Sequence, residues 1–283
     1  MIFFCDILNR HMSGELHINQ SMTLLILSCK DFSDLWSNNL LLLSKYWPEH
    51  PKTIISSEGE GKFDLKHPDE LRIFEGEMSN RIISALKSID TEYVLLTFDD
   101  YFLKDKVDIN TVESLLNIMN DNSFDYCRFF KEKKVKGKFI GKEKYKILPL
   151  ESVYEANFYP SIWKRESLLS VLKDGEDIWK TEVRLTKRMR ELGQKGIAVY
   201  NPKVFPILDV VRKGKYLRDA YKFLKKNKLY ISDRPIRTVK ETRALALQIF
   251  VSEHFPNGLK KIIKEHMKKK GKVFYSDFEE EDE

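Results

Sequence analysis

The chain has 283 residues, 42% of them hydrophobic, 12% aromatic and 33% charged, with 49 Lys and Arg against 43 Asp and Glu for a net charge of +6. That length and aromatic content exclude a largely disordered chain and fit one large α/β domain or two small ones. The mild positive excess is too small for a dedicated nucleic-acid binder. Three scattered cysteines (Cys5, Cys29, Cys127) exclude a disulfide framework and point to a reducing compartment. No apolar run approaches the ~20 residues that span a bilayer, and Asp6, Arg10 and His11 interrupt the apolar start too early for a signal peptide. A cytoplasmic protein is expected, with the inner face of the membrane as its surface of contact.

Residues 1–21 read as a lead-in without a clear pattern. Thr23 to Cys29 is a continuous apolar run, as in a strand covered on both faces. Ser33 and Asp34 can cap a helix over Leu35 to Tyr46, which Pro48 and Pro51 stop. Thr53 to Ser57 is a second strand, followed by a polar loop at Gly59 and Gly61. Ser79 to Ile89 places Ile82, Ile83, Leu86 and Ile89 on one helical face. Glu92 to Phe98 is a third buried strand that ends in Asp99-Asp100. Val107 to Met119 is helical and Phe124 to Phe130 extended.

Lys131 to Lys146, with eight lysines and two glutamates around two glycines, reads as a solvated loop or hairpin. Further helices are expected over Ser167 to Leu172 and Ile178 to Leu192, and a strand over Ile197 to Tyr200. Beyond Gly214 the pattern is helical and basic, over Tyr216 to Leu224, Lys240 to Phe250 and Leu259 to Lys270; Asp277 to Glu283 is an acidic tail. The expected fold class is α/β: a Rossmann-like, mostly parallel sheet with helices on both faces, plus a helical basic C-terminal region. The domain limits read as 22–212 for the sheet domain and 213–276 for the basic region. The first comprises halves of about 22–130 and 145–212.

In such a sheet, ligands bind beyond the carboxyl ends of the strands. Three polar clusters sit there: Lys30-Asp31, Ser56-Ser57-Glu58 and Asp99-Asp100. Adjacent carboxylates repel unless a cation lies between them, and Mg²⁺ or Mn²⁺ shared with a phosphate fills that role. The histidines show no metal-ligand spacing, and neither a P-loop nor a Gly-x-Ser-x-Gly motif is present.

Tyr93-Val-Leu-Leu-Thr-Phe-Asp-Asp-Tyr-Phe-Leu103 resembles the metal and nucleotide-sugar motif of GT-A glycosyltransferases, in particular bacterial enzymes of surface-polysaccharide synthesis. Three further stretches carry the resemblance. They are Asp31 to Trp36 with Tyr46-Trp-Pro48, Phe158 to Arg165 with Gly175 to Glu182, and Val211 to Tyr216. The resemblance covers about residues 22–220, and its motif departs from a strict Asp-x-Asp because Tyr101 follows Asp100.

The resemblance implies transfer of a sugar from a nucleotide-sugar donor, UDP-sugar first, to a glycan or lipid-linked acceptor, with inversion. It assigns Mn²⁺ or Mg²⁺ to Asp99 and Asp100, and the donor to Asp31, Asp34, Ser57, Asn80, Arg212, Lys213 and Lys215. The base is Glu182, then Asp177, then Glu176; Trp163, Trp179 and Tyr159 serve the acceptor. Capping a helix is the alternative role for the three acids, and burial in the core for the tryptophans.

Leu259 to Val273 carries seven lysines and one glutamate, with Leu259, Ile262, Ile263 and Met267 on one face. That pattern suits an anionic membrane surface as well as an ordinary terminal helix. No aromatic-basic RNA-binding signature is present, and no nucleic-acid partner is expected. The competing readings are a metal-dependent nucleotidyltransferase, and a non-enzymatic protein that binds membranes or nucleic acid through its basic half.

Overall fold

A computed structural model describes residues 16–61, 71–129, 145–199, 201–269 and 271. Most of the lysine-rich stretch and all of the acidic tail lie outside the described residues. β1 (Met22–Leu27), β2 (Thr53–Ser57), β3 (Leu71–Ile73) and β4 (Tyr93–Phe98) form the parallel half of an eight-stranded sheet. Its full order is β3-β2-β1-β4-β8-β6-β9-β7, where β6 is Tyr126–Arg128, β7 Tyr145–Ile147, β8 Ser161–Lys164 and β9 Gly196–Val199. Only β7 and β8 run against the rest, so the sheet is mostly parallel, as the alternation of elements predicts.

Side chains of β1 alternate between two cores. Met22, Leu24 and Ile26 pack on one face with α1 (Ser33–Tyr46) and α3 (Ile109–Asn122). Leu25 and Leu27 pack on the other with α2 (Met78–Lys87), α4 (Arg165–Val171) and α5 (Ile178–Glu191). This two-sided burial is what a continuous apolar strand requires.

Every strand and helix expected from the pattern is present within a few residues. The exceptions are short. β3, β5 (Tyr101–Leu103), β7, β8 and the C-terminal pieces β10 (Ile207–Asp209), β11 (Val211–Arg212) and β12 (Lys215–Tyr216) have two to four residues each, too few for a periodicity to register. Tyr145 and Lys146, expected in a loop or hairpin, belong to β7, which pairs with β9. The end of the lead-in is ordered as well. Ile18–Ser21 forms a helical turn, Ile18 is buried, and the Leu16 amide donates to Asn117 Oδ1 at 3.0 Å.

A third core joins Leu35 and Leu42 of α1 to Phe102, Val210, Val211, Tyr216, and Ala220 and Leu224 of α6 (Arg218–Lys226). Beyond Leu224 no described residue is buried. There the chain continues into α7 (Val239–His254) and α8 (Asn257–Lys269).

Candidate active site

β4 ends in the two-residue turn Asp99-Asp100, and the chain leaves as β5, which pairs with β10 instead of continuing the main sheet. Helix α1 holds this turn. Trp36 Nε1 donates to Ser28 Oγ at 2.6 Å, and Ser28 donates in turn to Asp99 Oδ2. Asn39 Nδ2 donates to the carbonyls of Asp99 (3.0 Å) and Tyr101 (3.3 Å). The buried polar face of α1 therefore fixes the backbone on which the acid pair sits.

The turn opens into a cavity of about 580 Å³. Its floor comprises Leu27, Ser28 and Cys29 after β1 and Phe98 to Tyr101 after β4. The far wall comprises Asn157 to Tyr159 and, from α5, Ile178, Trp179 and Glu182. Arg212 closes the side. The cavity thus lies at the carboxyl ends of β1 and β4, where the topology places ligands.

Carboxylates here are held away from water. Burial, and then the charge of Asp100, push Asp99 well above the usual carboxylate range, against the hydrogen bond from Ser28. Burial, and then the charge of Asp209, push Asp100 up to about 7. Asp209, on β10, is itself raised by burial, and Arg212 opposes the rise by donating from Nε to Asp209 Oδ2 at 2.5 Å. Its other oxygen, Oδ1, is buried without a hydrogen-bond partner. On the opposite wall, burial raises Glu182, against the Phe158 amide, which donates to Oε1 at 3.1 Å. Desolvation is the common cause, and it makes each of these groups a stronger proton acceptor when ionised.

Of the residues singled out in the sequence, Asp99, Asp100, Glu182, Trp179, Tyr159 and Arg212 line this one cavity. Trp179 is 54% exposed, and Tyr159 packs its ring 5.1 Å from that of Tyr101. The remaining residues have other surroundings. Trp163 is fully buried, 4.3 Å from the Tyr126 ring, with Nε1 donating to Ser161 Oγ at 3.1 Å, so it is a core residue and cannot meet an acceptor. Asp177 caps α5, accepting from the amides of Trp179 and Lys180.

Glu176 binds Arg184, Arg188 and Thr181. Asp34 is occupied by Arg234 through both carboxylate oxygens, at 2.6 and 2.7 Å, and by Ser232. The Asp31 carbonyl also accepts from Arg234. Ser57 hydrogen-bonds to Gly59 within its own turn. Asn80 ties α2 to Asp174 and Gly175. Lys215 pairs with Glu241 at 2.6 Å, and Lys213 has a left-handed backbone (φ 52°) in the β11–β12 turn.

Two contributors carried no signal in the sequence. Asp209 lies in a three-residue strand, and Arg234 lies 200 residues from the Asp34 it binds. Only the fold brings them to the acid pair.

Among the described residues, no group of three or more His, Cys, Asp or Glu is set to hold a metal ion by itself. An ion here would take carboxylate oxygens of Asp100 and Asp99 and complete its shell with substrate oxygens, as Mg²⁺ commonly does. The unpartnered Asp209 Oδ1 and the raised pKa of Asp100 suit a nearby cation, which would offset their repulsion.

No family model and no curated protein sequence matches the chain. Comparison with solved structures finds S. aureus TarS 1-349 at 14% identity and TM-score 0.42. That match covers 64% of this chain and 58% of TarS 1-349, so it spans little more than half of that protein. The same protein in complex with UDP gives 16% identity, 84% and 74% coverage and TM-score 0.47. The bifunctional IspDF of Campylobacter jejuni gives 16%, 67%, 52% and 0.38.

Proposed function

We propose that the chain is a nucleotide-sugar-dependent glycosyltransferase. The observation that supports it is the meeting, in one cavity, of an acid pair from the parallel half of the sheet with a desolvated glutamate and an exposed tryptophan from the other half. A transferase of this class needs a place for a diphosphate, a base for the acceptor hydroxyl and a surface for a sugar ring. The two walls supply candidates for each.

In this reading, the nucleotide lies over the ends of β1 and β4, with UDP the first nucleotide to test. Asp100 and Asp99 would hold Mn²⁺ or Mg²⁺, which when bound neutralises charge on the departing diphosphate. Arg212 offers a second positive group to the same charge. Glu182 accepts the proton of the acceptor hydroxyl, and its burial suits it to act near neutral pH. A base on the wall opposite the donor corresponds to inversion. Trp179 presents a ring face to the acceptor sugar. Asp177, engaged as a helix cap, and Glu176, engaged by two arginines, are less suited to the base role.

A nucleotidyltransferase would also use an acid pair with a metal. It has no use for an apolar, tryptophan-bearing wall carrying a buried base, so transfer of a sugar is favoured. Thermal shift against UDP, GDP and CMP, each with and without Mn²⁺, tests the reading. Stabilisation by one nucleotide, dependent on metal, is expected. Indifference to all three would sink it.

A further inference from the structure

The segment after α6 is strapped to the domain and then leaves it. Asn38 Nδ2 donates to the Tyr230 carbonyl at 2.7 Å, Arg234 holds Asp34, and the Tyr216 amide donates to the Pro235 carbonyl at 2.9 Å. Thr238 and Glu241 form a capping box that starts α7, and Lys215 holds Glu241. From that point no described residue is buried, although the helices are rich in apolar side chains.

On α7, Leu247 is 63% exposed and Phe250 51%, and apolar residues occur around the whole circumference of the helix, a pattern of helices that are covered. On α8, Leu259, Ile262, Ile263 and Met267 share one face and Ile262 is 64% exposed. The 3.6-residue period sets Lys264 and Lys268 away from that face. Residues 237–271 carry nine Lys and Arg and three Glu.

We propose that α7 and α8 form an arm that docks on an anionic lipid surface. Apolar residues that water penalises lie beside a dense positive charge, and a leaflet bearing acidic headgroups satisfies both. A second copy of the chain would cover the apolar side chains while bringing the lysines of both copies together, at an electrostatic cost. Nucleic acid would meet the lysines and leave the apolar face wet. The arm stands apart from the transferase reading and does not depend on it. If both hold, the strap matters: Arg234 stacks on the Phe32 ring at 4.4 Å, and Phe32 lines the cavity. The arm is then anchored beside the site, which suits a lipid-linked acceptor.

Sedimentation of the full chain with phosphatidylcholine vesicles, with and without phosphatidylglycerol, tests the arm without any nucleotide. Binding is expected only with the anionic lipid, and it should weaken with added salt. Ile262→Glu, at an exposed position, and the pair Lys264→Glu with Lys268→Glu should each weaken it by about tenfold or more, since each lysine near such a surface contributes about 1 kcal/mol. Equal binding to both vesicles, no binding to either, or a stable dimer that Ile262→Glu converts to monomer would overturn the proposal. Vesicle binding with no nucleotide response would leave the arm standing and remove the transferase.

Discussion

Asp100 has a cost to the fold. Its pKa in the folded protein, about 7, lies above the ordinary 3.8, so between those values the folded state holds a proton that the unfolded chain has released. Stability at this position therefore falls as pH rises through that window. Asp100→Asn removes the penalty. It should stabilise the ligand-free protein at pH 7.5 by about 1 kcal/mol, or roughly 2–4 °C in Tm, while abolishing any metal-dependent nucleotide response. Calorimetry with and without UDP and Mn²⁺ reads both effects, and a less stable variant would contradict the electrostatic account. Glu182→Gln keeps the Phe158 hydrogen bond within reach but cannot take a proton. Nucleotide binding should be unchanged, and transfer should drop by roughly 10²–10⁴-fold. Because burial raises Glu182, the acid limb of the transfer rate should lie above the ordinary glutamate value of 4.5, and the rate should climb with pH across it.

At the scale of elements, α5 is pinned by Glu176 just before its first turn. Burial pushes this carboxyl up, but hydrogen bonds from Arg188, Arg184 and Thr181 outweigh it and hold the group at about 2. A depressed value contributes stability that is full above 4.5 and is lost as pH falls toward about 2. Acid unfolding followed by circular dichroism should therefore shift to higher pH in Glu176→Gln. That variant should also lose about 3–5 kcal/mol at neutral pH, because two buried arginines lose the carboxylate charge they share. The sequence made α5 and the parallel strands legible, because apolar runs and a 3.6-residue face survive in a linear reading. It also placed the acid pair at the end of a strand, and with it the floor of the cavity. What it could not show was which of Glu176, Asp177 and Glu182 faces the cavity, since all three sit within seven residues at the start of one helix. Trp163 was equally opaque: β8 has four residues, and nothing local says that such a segment lies in the middle of a sheet.

Across the whole molecule, the strap over residues 230–237 links the basic arm to α1 and so to the acid pair. Arg234→Ala leaves Asp34 buried with fewer partners. It should lower Tm, and it should weaken UDP binding more than it affects the turnover of bound substrate. Arg234→Lys should recover only part of the loss, since a point charge cannot reproduce the two-oxygen contact. A variant with normal nucleotide affinity would confine Arg234 to holding the strap. β8 has a further consequence, for the order in which the chain assembles. It alone stitches β4 to β6, yet it follows both in the sequence. Until Lys164 has left the ribosome, Tyr93 to Leu96 is an unpaired border of the parallel half, and Tyr126 to Arg128, whose other neighbour β9 comes later still, has no partner strand. Nascent chains halted before residue 161 should thus be sticky and chaperone-dependent, and the protection of Trp163 from quenchers should mark the moment of closure.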